Sequence, residues 1–380
     1  MKKPVITFIS PTNLAAGAGN EWPIIYYTRN LYKYAKINVV QTDYAKRSVL
    51  GREVLDEIRA KASVVTIRLP IFKFDFLQKV LLGRIFQHFV IEPLTCFAYR
   101  CRSAELRKIL EESDIIYLFN NSFSYLVSKG MRATTIGNTD SFFVWGVLGR
   151  VVSKLTYRGL LFTRIDKFHL LYDIPYWERS TKHFSIPNGV DSDLFEPRNS
   201  CDPKIKLIFA GRLEDGKGLR NLVEAWHILR EKYEDIGNQI ELHVAGRGSL
   251  ENLVERDASI VYHGSMAHLG LGELEGKCDI FVFPSMGETF GSVVLEAASS
   301  GLYVITTESL RTIFHNLIPD EYITYVSNDP VTLAETMYEA SKNIENIRGN
   351  KLKIHQFIKI NFDWQTISMR LFDALLGELR

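Results

Sequence analysis

FPSMGETFGSVVLEAASSG, from Phe283 to Gly301, is the stretch on which the architecture of this chain turns. The apolar run Ile280-Phe281-Val282-Phe283 reads as a buried strand, Pro284-Ser285-Met286-Gly287 turns the chain, and Gly291 opens a helix that closes at Ser299-Ser300-Gly301. A strand, a turn and a helix in that order form half of a βαβ unit, and open α/β sheets bind ligands at such strand C-termini. The first helical turn exposes free backbone N–H groups and the positive end of the helix dipole, a seat for an anion such as a diphosphate. Glu288 then stands beside that seat. Glu296 lies within a small, apolar helix, where a carboxylate is costly to bury without partners, and two vicinal ribose hydroxyls would supply them. Taken singly, either glutamate reads more readily as a surface residue of an ordinary βα unit; the pair in this context reverses that and favours a site.

Glu288 and Glu296, with seven residues between them and Gly291 inside, resemble the E-x7-E motif of retaining glycosyltransferases of the GT-B fold, family four. Three further segments match in the same order. Pro187-Asn188-Gly189-Val190-Asp191 resembles the passage between domains, Phe209-Ala210-Gly211-Arg212-Leu213 with Lys217-Gly218 resembles the donor-phosphate loop, and Gly246-Arg247-Gly248 resembles the next glycine-rich turn. The resemblance implies an α/β protein of two Rossmann-like, doubly wound parallel-sheet domains facing across a cleft. It also implies transfer of a sugar from a nucleotide-diphosphate donor to a hydroxyl of a glycan or lipid-linked acceptor, with no cofactor and no metal.

The wider sequence agrees. Along the second half, apolar runs at 206–210, 240–245, 260–263, 280–283 and 302–306 alternate with longer amphipathic segments, the mark of a parallel sheet. The first half repeats the theme less clearly, at 5–10, 38–41, 63–68, 115–119 and 134–137. The expected division is an acceptor domain at 1–190, a linker at 191–204 containing Pro197 and Pro203, a donor domain at 205–361, and a closing helix at 362–380 that packs back across both.

In the phosphate loop, Arg212 and Lys217 project from one strand end, where a guanidinium and an ammonium would hold a departing diphosphate. A solvated basic turn is the competing reading, strongest for Lys217 alone, and Glu214 and Asp215 between them read as exposed. Within the resemblance, Glu288 contacts the transferred sugar and, with Arg212 and Lys217, forms the catalytic set. Glu296, Gly291, Phe290, Thr289, Gly211, Gly246 and Arg247 line the donor. Gly-x-Gly at 246–248 is by itself as much a turn as a contact, and Arg247 stands where the family often has an acidic residue. Gly17 and Gly19, after the first strand, resemble the loop beneath the donor diphosphate, although Ala18 separates them. The histidine many relatives carry after a middle strand is absent from Thr135-Ile136-Gly137-Asn138-Thr139-Asp140-Ser141. Asn138 or Asp140 would then make the sugar contact, Asp140 being equally a helix N-cap. Asp191-Ser192-Asp193 has the D-x-D form of a metal site but sits in the expected linker, and is not assigned to a metal. His243 and His263 read as structural.

The 380 residues and 46% hydrophobic content suit two globular domains. Cys96, Cys101, Cys201 and Cys278 have no paired spacing and read as reduced thiols of a cytoplasmic protein. The N-terminus is too short in apolar residues for a signal peptide, and the apolar stretch 80–99 is interrupted by Arg84, His88, Glu92 and Pro93, so no transmembrane helix is expected. The net charge of +2 hides an asymmetry: 27 Lys and Arg against 15 Asp and Glu in residues 1–190, and 19 against 29 in residues 191–380. A basic half points to an anionic partner. The aromatic and basic segment 72–107 suits peripheral contact with an anionic membrane as well as it suits an ordinary amphipathic core helix. No recognition motif accompanies the charge, so nucleic acid is not expected. Two other functions stay open: a noncatalytic sugar-nucleotide or glycan-binding protein of the same fold, and a GT-B epimerase.

Overall fold

The computed structural model describes residues 2–16, 21–43, 51–67, 96, 99–100, 103–127, 131–138, 165–173, 183–198, 202–237 and 239–377. Gly17, Gly19, Asp140, Cys101, Cys201 and most of the segment 72–107 lie outside the described residues. The chain divides into two compact units, one of residues Met1–Asn188 with Ile367–Arg380, the other of Gly189–Thr366.

In the first unit, β1 (Val5–Ile9), β2 (Lys36–Thr42), β3 (Ala62–Ile67), β4 (Ile115–Leu118), β5 (Thr134–Asn138), β6 (Lys167–Leu170) and β7 (His183–Ser185) form a parallel sheet in the order β3-β2-β1-β4-β5-β6-β7. All five residues of β1 and all four of β4 are buried, which is why these central strands are continuous apolar runs rather than alternating ones. Helices α1 (Glu21–Leu31), α2 (Arg52–Lys61) and α3 (Ala104–Glu112) lie between strands in sequence. At the start of α3, Ser103 Oγ accepts from the Leu106 amide at 3.2 Å, an N-cap. Strands β6 and β7 were not expected from the sequence; Lys-Phe-His-Leu and His-Phe-Ser are too short and polar to stand out.

The second unit carries β8 (Ile205–Ala210), β9 (Ile240–Ala245), β10 (Ile260–Gly264), β11 (Ile280–Phe283), β12 (Tyr303–Thr307) and β13 (Ile323–Val326), all parallel, in the order β10-β9-β8-β11-β12-β13. Its main helices are α4 (Leu219–Lys232), α5 (His268–Glu275), α6 (Ser292–Ser299), α7 (Pro330–Lys342) and α8 (Ile344–Phe362). Five of its strands stand where the apolar runs placed them; β13 was not expected. Two Rossmann-like, doubly wound α/β units therefore make up the chain, and in each the strand order reverses beside the first strand of the unit.

The expected linker, residues 191–204, is instead built into the second unit where it is described. The Val190 amide donates to the Phe362 carbonyl at 2.8 Å, the Trp364 amide returns a bond to the Val190 carbonyl at 3.1 Å, and Val190 pairs with Asp363 as a parallel bridge. Phe195 is buried and the Arg198 amide donates to the Gly276 carbonyl at 2.8 Å. Gly189 is required there: a Cβ would lie 2.6 Å from Trp364 Cδ2. Asp191 and Asp193 are used separately, Asp191 Oδ1 accepting from the Leu194 amide at 3.1 Å and Asp193 pairing with Lys359 at 2.7 Å. Polarity and prolines suggested a spacer because they do not reveal these long-range backbone bonds. The last helix, α9 (Trp364–Gly377), starts two residues later than the expected 362 and belongs to the first unit from Ile367 onward. In that unit Asn30 Nδ2 donates to Ser368 Oγ at 3.0 Å and Tyr34 lies against Phe372. Among the described residues no helix is long and apolar enough to cross a membrane.

Candidate functional site

The loops that follow β8, β9 and β11 are sewn together by backbone approaches that only glycine permits. Gly218 has φ of 72°, and a Cβ on it would lie 1.9 Å from the Pro284 carbonyl oxygen. Gly246, at φ of 142°, would place a Cβ 1.8 Å from the Gly211 carbonyl oxygen. The Met286 amide donates to the Gly216 carbonyl at 3.1 Å and the Leu213 amide to the Arg247 carbonyl at 3.0 Å. The loop after β8 thus touches the loop after β11 on one side and the loop after β9 on the other, at the point where the sheet order reverses.

This stitching brings Lys217 and Glu288 together. Lys217 Nζ donates to Glu288 Oε1, the two side chains being 15% and 12% exposed, so this is a largely sheltered ion pair at the rim of the sheet. Ser285 Oγ lies 3.0 Å from the same carboxylate oxygen and within reach of the Gly216 and Gly287 carbonyls. Arg212 is not part of the cluster: its guanidinium is exposed and meets Glu214 at 2.9 Å, which makes Glu214 a partner rather than a bystander. Such an exposed pair contributes about 0–1 kcal/mol, so it restrains Arg212 little.

Gly291, at φ of 81°, caps α6, and the amides of Ser292 and Val293 donate to no group among the described residues. They point along the helix axis toward the loop, where an anion would satisfy them. Thr289 is half-buried at the same turn. Phe290, expected to line the donor, turns its ring inward: it is 3% exposed and packs 5.9 Å from Phe314, leaving only its backbone at the site. Arg247 is exposed and lies 4.0 Å from Glu251, beside Gly246.

Glu296 sits on the second turn of α6. It keeps partial solvent exposure and makes no hydrogen bond to any described residue, and burial of its surroundings pushes its carboxyl up to about 7. A carboxyl group so placed has acceptor capacity that the protein does not use. Ser285, whose hydroxyl lies against Glu288, was not singled out from the sequence. It follows the strand-ending proline, a position whose side chain faces the loop, and that signal is weak in one sequence.

In the first unit, Asn138 ends β5 and is 3% exposed, so its amide is a buried strand-end group rather than an open contact. The strand C-termini on the other side of β1 border a cavity of about 280 Å³, polar along Asn13, Gln41 and Thr66 and apolar along Leu55, Ile58 and Val64. Gln41 is locked there, its Oε1 accepting from the Leu14 amide at 2.8 Å and its Nε2 donating to Thr66 Oγ1 at 2.9 Å. His243 and His263, read as structural, do stack on each other 5.2 Å apart with a 2.9 Å ring-nitrogen contact.

Residues 204–343 match the family described as Glycosyl transferases group 1. The chain is 26% identical over 203 residues to the phosphatidylinositol N-acetylglucosaminyltransferase GPI3 subunit of Saccharomyces cerevisiae (strain YJM789), covering 49% of this chain and 43% of that one. It is 30% identical over 151 residues to the D-inositol 3-phosphate glycosyltransferase of Arthrobacter sp. (strain FB24), covering 35% and 36%. The chain therefore spans less than half the length of these two relatives. Its fold is similar to that of Anabaena HepE, solved in complex with UDP and glucose, with a TM-score of 0.67 at 16% identity over 97% of this chain and 98% of that one. Residues 204–343 thus match the group 1 glycosyl transferases, in a chain whose two Rossmann-like units have the GT-B fold.

Proposed function

We propose that this protein is a retaining glycosyltransferase that moves a sugar from a nucleotide-diphosphate donor to a hydroxyl of a glycan or lipid-linked acceptor. The observation that carries the reading is the sheltered Lys217–Glu288 pair at the reversal of the second sheet, next to the open amides of α6 and the unpartnered carboxyl of Glu296. A diphosphate placed over the α6 N-terminus would draw Lys217 away from Glu288. That frees the carboxylate to accept hydrogen bonds from the transferred sugar while the ammonium compensates charge on the phosphates. Glu296 accepts from the two ribose hydroxyls. Arg212, held only by an exposed ion pair, swings to add a second cation.

In the reaction the acceptor oxygen forms a bond to the anomeric carbon on the face from which the diphosphate departs. The bond from that carbon to the phosphate oxygen breaks, and the departing oxygen takes the acceptor's proton. Lys217 and Arg212 stabilise the negative charge that builds on the leaving group, a role for which removal of one charged donor costs about 10²–10³ in rate. The acceptor is assigned to the first unit, whose cavity offers a polar wall for hydroxyls and an apolar wall for a ring face or lipid neck. The names of the relatives, which act on phosphatidylinositol and on inositol phosphate, favour an inositol-bearing acceptor. A basic first half also suits an anionic membrane surface.

The test is thermal shift and transfer assayed against a panel of nucleotide diphosphates and nucleotide sugars, in wild type and Glu296→Ala. A ligand that raises the melting temperature of wild type alone, with sugar appearing on an inositol-bearing acceptor, supports the reading. Binding with neither transfer nor hydrolysis would leave a sugar-nucleotide-binding protein.

A further inference from the structure

The two donors that reach the Glu288 carboxylate converge on one of its oxygens. Lys217 Nζ and Ser285 Oγ both meet Oε1, the hydroxyl at 3.0 Å, while Oε2 accepts from no described residue. The carboxylate is thereby divided into an oxygen held by the protein and an oxygen open to a ligand. A diphosphate would treat the two donors differently. Lys217 carries a mobile ammonium on a neighbouring loop, which arriving phosphate oxygens draw away. Ser285 lies three residues before Glu288 in the same turn, is buried and uncharged, and stays in place.

The Ser285 hydroxyl has one proton and three acceptors within reach: Glu288 Oε1 at 3.0 Å, the Gly287 carbonyl at 3.2 Å and the Gly216 carbonyl at 3.3 Å. The carboxylate is the nearest of them and the only charged one, and a hydrogen bond to an ionised acceptor is about twice as strong as one to a neutral group. The proton therefore points at Oε1. The serine is itself clamped from behind. Thr307 Oγ1, at the end of β12, donates to the Ser285 carbonyl at 2.5 Å, and Ser309 Oγ reaches the same carbonyl at 3.0 Å. On the other side the Met286 amide holds the Gly216 carbonyl at 3.1 Å. A donor fixed in this way orients its partner without further loss of freedom, whereas an unheld glutamate turns over a broad range about its last torsion.

We propose that Ser285 is a positioning residue for Glu288, the donor that keeps Oε1 fixed once Lys217 has moved to the diphosphate, so that Oε2 faces the hydroxyls of the transferred sugar. The inference rests on the proposed placing of that sugar against Glu288. Its consequence is selective. Loss of the hydroxyl loosens the contact with the sugar and spares those with the nucleotide, which belong to Lys217, the α6 amides and Glu296.

The experiment is calorimetric titration of the full chain with UDP, GDP and ADP and with UDP-glucose, GDP-mannose and ADP-glucose. It uses wild type, Ser285→Ala, Glu288→Gln, the double variant and Thr307→Val. For the nucleotide that binds, Ser285→Ala is expected to weaken the sugar-bearing form about tenfold or more, the order of one hydrogen bond to a charged group, and the bare diphosphate by less than about twofold. In the Glu288→Gln background the same substitution is expected to cost nothing further, because its effect passes through the carboxylate. Thr307→Val, which keeps the serine and releases only its carbonyl, gives the same selective loss on a smaller scale and carries the test if Ser285→Ala does not fold. No loss in Ser285→Ala, an equal loss for sugar-bearing and bare nucleotide, or a loss that persists in full beside Glu288→Gln overturns the proposal and leaves Glu288 as the sugar contact. Nucleotide-sugar binding unchanged in Glu288→Gln, or no binding of any of these compounds, removes the donor reading itself and the proposal with it.

Discussion

The carboxyl ends of the two sheets are built on the same plan and lined with different chemistry. In the first unit the order reverses between β1 and β4, in the second between β8 and β11. The second reversal carries an ion pair, open helix amides and an unpartnered carboxyl. In the first unit the buried Tyr117 and His169 satisfy each other within the protein: Tyr117 OH meets His169 Nδ1, and His169 Nε2 donates to the Ile186 carbonyl at 2.7 Å. Burial pushes that imidazole down to about 4, so it is neutral and its tautomer is set by the carbonyl, which can only accept. Topology provides a crevice twice. Only loops that leave polar groups unspent turn it into a site for a charged ligand.

The strongest challenge to this contrast is the loss of charge at the second reversal. Lys217→Ala and Glu288→Gln are each expected to lower transfer by about 10²-fold or more while the circular dichroism spectrum stays that of wild type. Turnover equal to wild type in both variants would remove the pair from the site. The first reversal should respond in the opposite way. His169→Leu strands the Tyr117 hydroxyl and the Ile186 carbonyl, with an expected loss of about 2–4 kcal/mol in denaturant unfolding, and nucleotide affinity should not change. A shift in affinity would show that the buried histidine is more than structural.

Smaller effects sharpen the same comparison. Gly218→Ala must push back the Pro284 carbonyl and hold a positive φ, at an expected cost of about 1–3 kcal/mol together with weaker nucleotide binding. Gly216→Ala, where a Cβ meets nothing within 4 Å, is the matched control and should be nearly silent. Nucleotide affinity should rise as pH passes upward through about 7, because the ribose hydroxyls need the ionised form of Glu296, and Glu296→Gln should flatten the profile. The folded-state value is raised above the unfolded one, so the group's contribution to stability is greatest at low pH and is lost as pH rises from about 4.5 through 7. Last, the helix caps in the two units should behave alike. Ser103→Ala on α3 and Asp329→Ala on α7, where Asp329 Oδ1 accepts from the Thr332 amide at 2.8 Å, should each cost about 1 kcal/mol with no effect on binding.

The units also differ in how much of them is legible in the linear sequence. The second unit's central strands are buried along most of their length, so Ile280–Phe283 stands out as an apolar run and Ile240–Ala245 as a mostly apolar one, and glycines at 211, 218, 246 and 291 mark where they end. The first unit's β6 and β7 are too short and too polar to announce themselves, and its expected sugar contact, Asn138, is drawn into the end of a strand. The segment 191–204 looked like a spacer because composition records polarity, whereas the backbone bonds that seat it, from Arg198 to Gly276 and from the adjoining Val190 to Phe362 and Trp364, join residues far apart in the chain.

The sequence by itself determined the parallel α/β class, the strand-turn-helix around Glu288 and Glu296, and the glycine positions, because burial of apolar runs and the steric freedom of glycine are local properties. Only the tertiary structure decided that Lys217 rather than Arg212 meets Glu288, that Phe290 faces Phe314, and that Glu275 lies buried against Ser300 at the end of α6. Those outcomes depend on which loops approach across the sheet and on how far each charge is removed from water, and neither is written in the spacing of residues along the chain.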